Sequence, residues 1–86
     1  MTLIPLRQQI DEIDMELIRL LARRQAVSTE IGKVKKMNDV PVTDPAREEE
    51  ALRMRGEFAE QHGLTTEEAE QFFQVIFEMS KGRQES

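Results

Sequence analysis

The stretch "LRQQIDEIDMELIRLLARRQAVSTEIGKVKKMN", residues 6–38, decides the fold. Its apolar residues recur in steps of four and three, with one step of seven, which is the periodicity of a helix with a single apolar stripe. The pattern ends near Asn38, because the residue before Pro41 is pushed out of the helical region. We therefore predict one helix from Pro5 to Asn38. The stripe consists of Leu6, Ile10, Ile13, Leu17, Leu20, Val27, Ile31 and Val34.

The length of this helix has a consequence for assembly. A helix of 34 residues spans roughly 50 Å at 1.5 Å per residue. A compact chain of 86 residues has a radius of gyration of only about 12 Å. The helix therefore overhangs a compact monomer and leaves part of its apolar stripe in water unless a partner covers it. We predict an intertwined helical homodimer in which the long helices pair, most simply antiparallel about a two-fold axis.

A second helix is predicted after a short loop over residues 39–44. Asp44 is a good N-cap, and Pro45 suits the first helical position, where its missing N–H does no harm. The helix runs from about Pro45 to His62, and Gly63 is suited to the left-handed conformation that ends it. Its predicted stripe consists of Ala51, Met54 and Phe58.

The third helix opens at "TTEE", where Thr65 and Glu68 have the spacing of a capping box. Its stripe runs through Ala69, Phe73, Ile76 and Ser80 to about Gln84. The chain shows no internal repeat and no low-complexity segment. We therefore predict an all-α fold with a long first helix and two shorter ones, forming a single domain over residues 1–86.

Composition excludes several classes of function. The net charge of −5 leaves no overall basic footprint for nucleic acid or an anionic membrane. The absence of cysteine excludes disulfides, thiolate metal sites and a cysteine nucleophile. The first residues lack the features of a signal peptide, and no apolar stretch approaches membrane-spanning length. We expect a cytoplasmic protein without a metal or another cofactor.

Polar residues that interrupt the apolar stripes are the candidates for a binding site. Arg24 occupies a position of the first stripe, and Lys35 lies eleven residues on, on the same side of the helix and about 16 Å along its axis. Burying such cations without a counter-charge is costly, so a bound small anion would balance them. The other interrupting residues are Arg47 and Glu48 on the second helix and Ser80 and Gln84 on the third.

Arg7 fits the pattern only if two chains combine. It lies 17 residues from Arg24, which is about 25 Å along the helix and roughly 100° around it. No small ligand can contact both residues in one chain. In an antiparallel dimer centred near Leu21, however, Arg7 of one chain falls opposite Lys35 of the other. We therefore predict a site to which the partner subunit contributes Arg7.

Each of these residues also has a simpler interpretation. Arg24 could extend its charged head to solvent along the helix edge. Lys35 could complement the dipole of the helix C-terminus, and Arg47 could form a solvated ion pair with Glu50. Only their joint placement on converging stripes favours a site. Without a nucleophile or a metal set, a cationic cavity could orient a dianion for a unimolecular rearrangement, or it could be a non-catalytic anion sensor.

Five segments together resemble the all-helical (AroQ-class) chorismate mutase family. They are "LRQQIDEIDMELIRLLARR" at 6–24, "IGKVKK" at 31–36, "VPVTDPAREEE" at 40–50, "HGL" at 62–64 and "SKGRQ" at 80–84. The resemblance covers almost the whole chain and implies an intertwined dimer with two sites, each built mostly from one protomer. The implied reaction is the Claisen rearrangement of chorismate to prephenate in the shikimate pathway, without a cofactor or a covalent intermediate.

The resemblance also implies roles for the catalytic residues. By position, Arg24 and Arg7 of the partner subunit would bind the two carboxylates of chorismate. Lys35 and Gln84 would donate hydrogen bonds to the ether oxygen as the C–O bond breaks. Arg24, Lys35 and Gln84 are therefore expected to act directly in catalysis.

The remaining residues are expected to hold the substrate. Glu48 and the backbone N–H of Asp44 would bind the ring hydroxyl, and Ser80 would assist a carboxylate. Arg47 would line the site and orient Glu48. Two alternatives stay open: an isochorismate pyruvate-lyase on the same scaffold, and a dimeric helical regulatory module without turnover.

Overall fold

The structure of the protein is a computed structural model that describes residues 2–86. Over this range it contains three α-helices and no strand. They are α1 (Ile4–Met37), α2 (Pro45–Gln61) and α3 (Thr66–Glu85). The predicted all-α fold with a long first helix is confirmed, and the predicted helix ends are within one residue of those observed.

The predicted helix caps are present. The Asp44 carboxylate accepts a hydrogen bond from the backbone N–H of Arg47 at 3.1 Å, which satisfies one of the free donors at the start of α2. Gly63 ends the α2 turn with φ of +81°, a conformation that favours glycine. Thr65 and Glu68 form a reciprocal capping box at the start of α3.

Helix α3 lies in the middle of the fold and packs against both α1 and α2, whereas α1 and α2 do not pack against each other within residues 2–86. The buried residues are small or polar on every helix, apart from one isoleucine, so the backbones approach closely. They are Gln25, Ser28 and Gly32 on α1, Ala51, Gly56 and Ala59 on α2, and Ala69, Ile76 and Ser80 on α3.

The face of α1 that packs against α3 is not its apolar stripe. The eight stripe residues are 41–58% exposed in the single chain, and the molecule is elongated, with extents of 58 × 24 × 15 Å and a radius of gyration of 16.0 Å. A compact chain of this length would have a radius of about 12 Å. The long helix therefore leaves its apolar stripe uncovered, as the sequence predicts for one chain.

The predicted stripe of α2 is partly wrong. Ala51 is buried, but Met54 and Phe58 are 51% and 62% exposed. The face that packs on α3 continues from Ala51 through Gly56 to Ala59 instead. Because these residues are small, α2 and α3 can lie close together along this face. No helix among residues 2–86 combines the length and apolar character needed to cross a membrane.

Candidate active site

A cavity of about 440 Å³ lies between the C-terminal half of α1, the part of α2 up to Arg55 and the end of α3. Arg7 lies outside it, on the exposed first turns of α1. The structure therefore brings together seven of the eight predicted site residues within one chain: Arg24, Lys35, Asp44, Arg47, Glu48, Ser80 and Gln84.

A chain of hydrogen bonds fixes the two predicted ether-oxygen donors. The Lys35 ammonium donates to Oε1 of Gln84 at 2.8 Å and to the carbonyl of Val42 at 3.0 Å. Nε2 of Gln84 donates to the Ser80 hydroxyl at 3.2 Å, and that hydroxyl lies 2.7 Å from the hydroxyl of Ser28. Ser28 was not among the predicted residues. Such a connected network holds its members in one geometry before any ligand arrives.

Gly32 allows the end of α3 to reach this position. A Cβ atom at Gly32 would lie 2.6 Å from Cα of Gln84 and 2.9 Å from its carbonyl carbon. Because these are backbone atoms, no side-chain rotation can relieve the overlap. The glycine is therefore required for the close approach that places Gln84 beside Lys35.

Arg24 carries a hydrogen-bond donor without an acceptor. Its guanidinium lies 5.7 Å from the ring centroid of Phe77, a favourable cation–π distance. Its Nη1 is buried and has no partner within the described chain. Burial, followed by the charge of Arg55, lowers the pKa of Arg24. Buried donors are nearly always satisfied, and this one is available to an acceptor from outside the chain.

Arg55 is a site residue that the sequence analysis missed. Its guanidinium lies 5.2 Å and 5.6 Å from the ring centroids of Phe73 and Phe77, and it donates to the carbonyl of Ala51 at 3.2 Å. Burial, followed by the charge of Arg47, lowers its pKa. A signal was available, because four residues back from Ala51 is Arg47 and four residues forward is Arg55, on the same face of α2.

Glu48 forms its ion pair with Lys81, another residue that was not predicted. The Lys81 ammonium lies 2.9 Å from Oε1 of Glu48 and 3.3 Å from Oε1 of Glu78. Hydrogen bonding to Glu48, and then to Glu78, raises the pKa of Lys81. Among the ion pairs of residues 2–86, Glu48 is joined to Lys81 and not to Arg47. No helical periodicity relates residue 48 to residue 81, so only the packing of α2 on α3 reveals the pair.

The charges around the cavity favour an anionic ligand. Its lining contains five cationic side chains and two carboxylates, an excess of three positive charges. One of the two carboxylates, that of Asp44, caps α2. The cations are those of Arg24, Lys35, Arg47, Arg55 and Lys81. A cavity of this sign attracts carboxylates, and no group of three potential metal ligands is found within residues 2–86.

Known proteins resemble this chain over nearly its whole length. The profile of the family "Chorismate mutase type II" matches residues 6–85. A chorismate mutase from Methanocaldococcus jannaschii is 27% identical over 79 residues, which are 92% of this chain and 80% of that protein. The bifunctional chorismate mutase/prephenate dehydratase of Escherichia coli K12 is 35% identical over 78 residues, 91% of this chain but only 20% of that enzyme.

A solved structure shares the fold. It is a conserved hypothetical protein from Pyrococcus furiosus, 40% identical in sequence, with a TM-score of 0.77 over 95% of this chain and 93% of that one. The family suggested by the five sequence segments is therefore confirmed. This chain belongs to the chorismate mutase type II family, and chorismate mutases are isomerases.

Proposed function

We propose that the protein rearranges chorismate to prephenate in the cavity between its three helices. The single observation that carries this proposal is the buried Nη1 of Arg24, which lacks an acceptor in a cavity with excess positive charge. Chorismate carries two carboxylates, and one of them would accept this hydrogen bond. Charge-assisted bonds of this kind are among the stronger interactions available to a binding site.

The proposed mechanism requires no bond between protein and substrate. One C–O bond of chorismate breaks while a C–C bond forms within the same molecule. The protein contributes by holding the extended substrate in a chair-like conformation, so that the reacting ends meet. Arg24 and Arg7 of the partner subunit would fix this conformation by binding the two carboxylates.

Lys35 and Gln84 would stabilise the negative charge that grows on the ether oxygen. An ammonium has three N–H donors, and two of those of Lys35 are occupied by Gln84 and Val42. The third is left for a ligand. Gln84 likewise uses one of its two amide N–H groups for Ser80 and keeps the other. Two preorganised donors aimed at a developing oxyanion are an effective catalytic device in a partly water-excluded site.

Glu48 and Asp44 would hold the ring hydroxyl of the substrate. Oε1 of Glu48 is occupied by Lys81, which leaves Oε2 to accept a hydrogen bond from the hydroxyl. The backbone N–H of Asp44 would complete this contact. Ser80, which is buried beside Gln84, would assist one substrate carboxylate.

The proposal includes an antiparallel homodimer. The exposed apolar stripe of α1 and the small set of buried apolar residues in one chain support it, because exposed apolar surface of this extent normally marks an interface. Arg7 lies outside the cavity of its own chain. In the dimer, it would enter the cavity of the partner subunit and supply the second carboxylate-binding cation.

The direct test is to incubate the purified protein with chorismate and, in parallel, with isochorismate, and to identify the products by NMR. Prephenate from chorismate is the expected product, and the Lys35→Ala variant serves as the low-activity control. Pyruvate and salicylate from isochorismate as the dominant products would instead identify a lyase. Consumption of neither substrate would contradict an enzymatic function and favour a regulatory module.

A further inference from the structure

The Glu48–Lys81 ion pair differs from the other ion pairs of residues 2–86. Those others join residues three or four positions apart on one helix, whereas Glu48 lies on α2 and Lys81 on α3. Both side chains are largely shielded from water, with 32% and 23% of their surface exposed. Both also line the cavity. The pair is therefore part of the site and not a surface interaction of one helix.

Several cationic side chains in the cavity compete for the Glu48 carboxylate. Arg24, Arg47 and Arg55 line the same cavity, and guanidinium groups bind carboxylates strongly, often through two hydrogen bonds. A Glu48 carboxylate paired with one of these guanidinium groups, Arg24 included, would occupy the place of an anionic ligand. Instead, Glu48 lies 2.9 Å from Lys81, and Nη1 of Arg24 keeps no partner within the described residues.

An ionised Glu48 would also repel a doubly negative substrate in the same cavity. A cation in contact with the carboxylate offsets this repulsion, because the pair together carries no net charge. The Lys81 ammonium occupies this place, and it approaches from α3, on which Ser80 and Gln84 also lie.

We propose that Lys81 is a positioning residue. It keeps the Glu48 carboxylate beside α3, so that Glu48 neither pairs with Arg24 nor repels the substrate. This inference rests on the proposed function and deepens it. Lys81 leaves one oxygen of Glu48 free as a hydrogen-bond acceptor, and the site thereby selects a dianion that carries a hydroxyl group. Lys81 acts through Glu48 and makes no contact with the reacting atoms.

The test is a double-mutant cycle measured by steady-state kinetics with chorismate. Lys81→Met removes the charge while keeping an unbranched chain, and we expect it to lower kcat/KM about tenfold, mainly through a higher KM. In a Glu48→Gln background the same change should alter kcat/KM by less than about twofold, because a neutral amide needs no counter-ion. Lys81→Arg should retain kcat/KM within about threefold of the wild type.

Two controls separate positioning from folding. Lys33→Met removes an exposed lysine that pairs with Glu30 on the same helix. The Tm of this variant measures how much the loss of a surface ion pair alone destabilises the fold. Lys81→Gln keeps a hydrogen-bond donor beside Glu48 but no charge. It should lose kcat/KM as Lys81→Met does, with a Tm close to that of Lys33→Met.

Each outcome decides the question. Equal losses of kcat/KM for Lys81→Met in the wild-type and Glu48→Gln backgrounds would overturn the role of Lys81. So would a kcat/KM of Lys81→Met as high as that of Lys33→Met. In either case, an active wild type leaves the proposed function intact. A wild-type protein that does not convert chorismate would overturn the proposed function and this inference together.

Discussion

Nζ of Lys35 lies 2.8 Å from Oε1 of Gln84, which joins the end of α1 to the last turn of α3 across the cavity. The two residues are 49 positions apart in the chain, so the contact exists only when α3 is packed along α1. Lysine has only donors, and its approach therefore fixes which side of the Gln84 amide carries the oxygen. Folding thus sets the geometry of both proposed donors before substrate binds.

Replacing Lys35 with alanine should remove catalysis and leave the fold intact. Loss of a donor to a developing oxyanion costs about 3 kcal/mol, so we expect kcat to fall by about 10²–10³-fold. Lys33→Ala, an exposed lysine on the same helix, is the matched control. Steady-state kinetics and thermal unfolding measure the two effects, and a near-normal kcat for Lys35→Ala would contradict the proposed role.

Replacing Gly32 with alanine should damage the site through the backbone of α3. The new Cβ would meet Gln84 backbone atoms, and we expect a loss of about 2 kcal/mol in the free energy of unfolding together with a fall in kcat. Gly82→Ala is the control, because the position is open and alanine favours the helix by up to about 1 kcal/mol. Urea unfolding that finds both variants equally stable would argue against the close approach at Gly32.

Replacing Arg24 with methionine should separate stability from activity. The buried Nη1 without a partner destabilises the folded protein when no ligand is bound. We therefore expect the free energy of unfolding of the variant to rise by about 1 kcal/mol. Activity should be lost, because one carboxylate-binding cation is missing. Urea denaturation measures the first effect, and a variant less stable than the wild type would show that the cation–π contact with Phe77 outweighs the missing hydrogen bond.

The helices could be predicted because their signals are local. The caps at Asp44 and Thr65 require only neighbouring residues, and both are present. The stripe that begins at Leu6 also predicted the length of α1 correctly. Which face of α1 packs within the chain could not be predicted in this way. The buried face contains Ser28 and Gly32, and small or polar residues carry no periodic apolar signal.

The site was predictable to the extent that its residues interrupt apolar stripes. Arg24 stands out because it replaces an apolar residue, and the structure places it in the cavity. Arg55 and Lys81 were missed for two reasons. Arg55 was overlooked although its spacing of four residues from Ala51 places it on the same face of α2 as Arg47, whereas Lys81 acquires its partner only through the packing of α2 on α3. Contacts between helices are not encoded in the spacing of one helix.

The uncovered stripe of α1 predicts that the protein is a dimer in solution. One chain has a mass of 10.0 kDa. Sedimentation equilibrium at micromolar concentration should report about twice this mass. Leu17→Glu, placed on the exposed stripe, should shift the equilibrium towards monomer and lower activity with it. A wild-type protein that sediments as a monomer would contradict the proposed assembly.

If two chains build each site, subunits that carry different defects should complement each other in a mixed dimer. Arg7→Ala and Lys35→Ala chains are each expected to be nearly inactive alone. Co-expressed in equal amounts, they should recover about a quarter of wild-type activity, because about half of the dimers are mixed and each mixed dimer has one intact site of two. Recovery to about that level is the result predicted by a shared site, and activity no higher than that of the separate variants would contradict it.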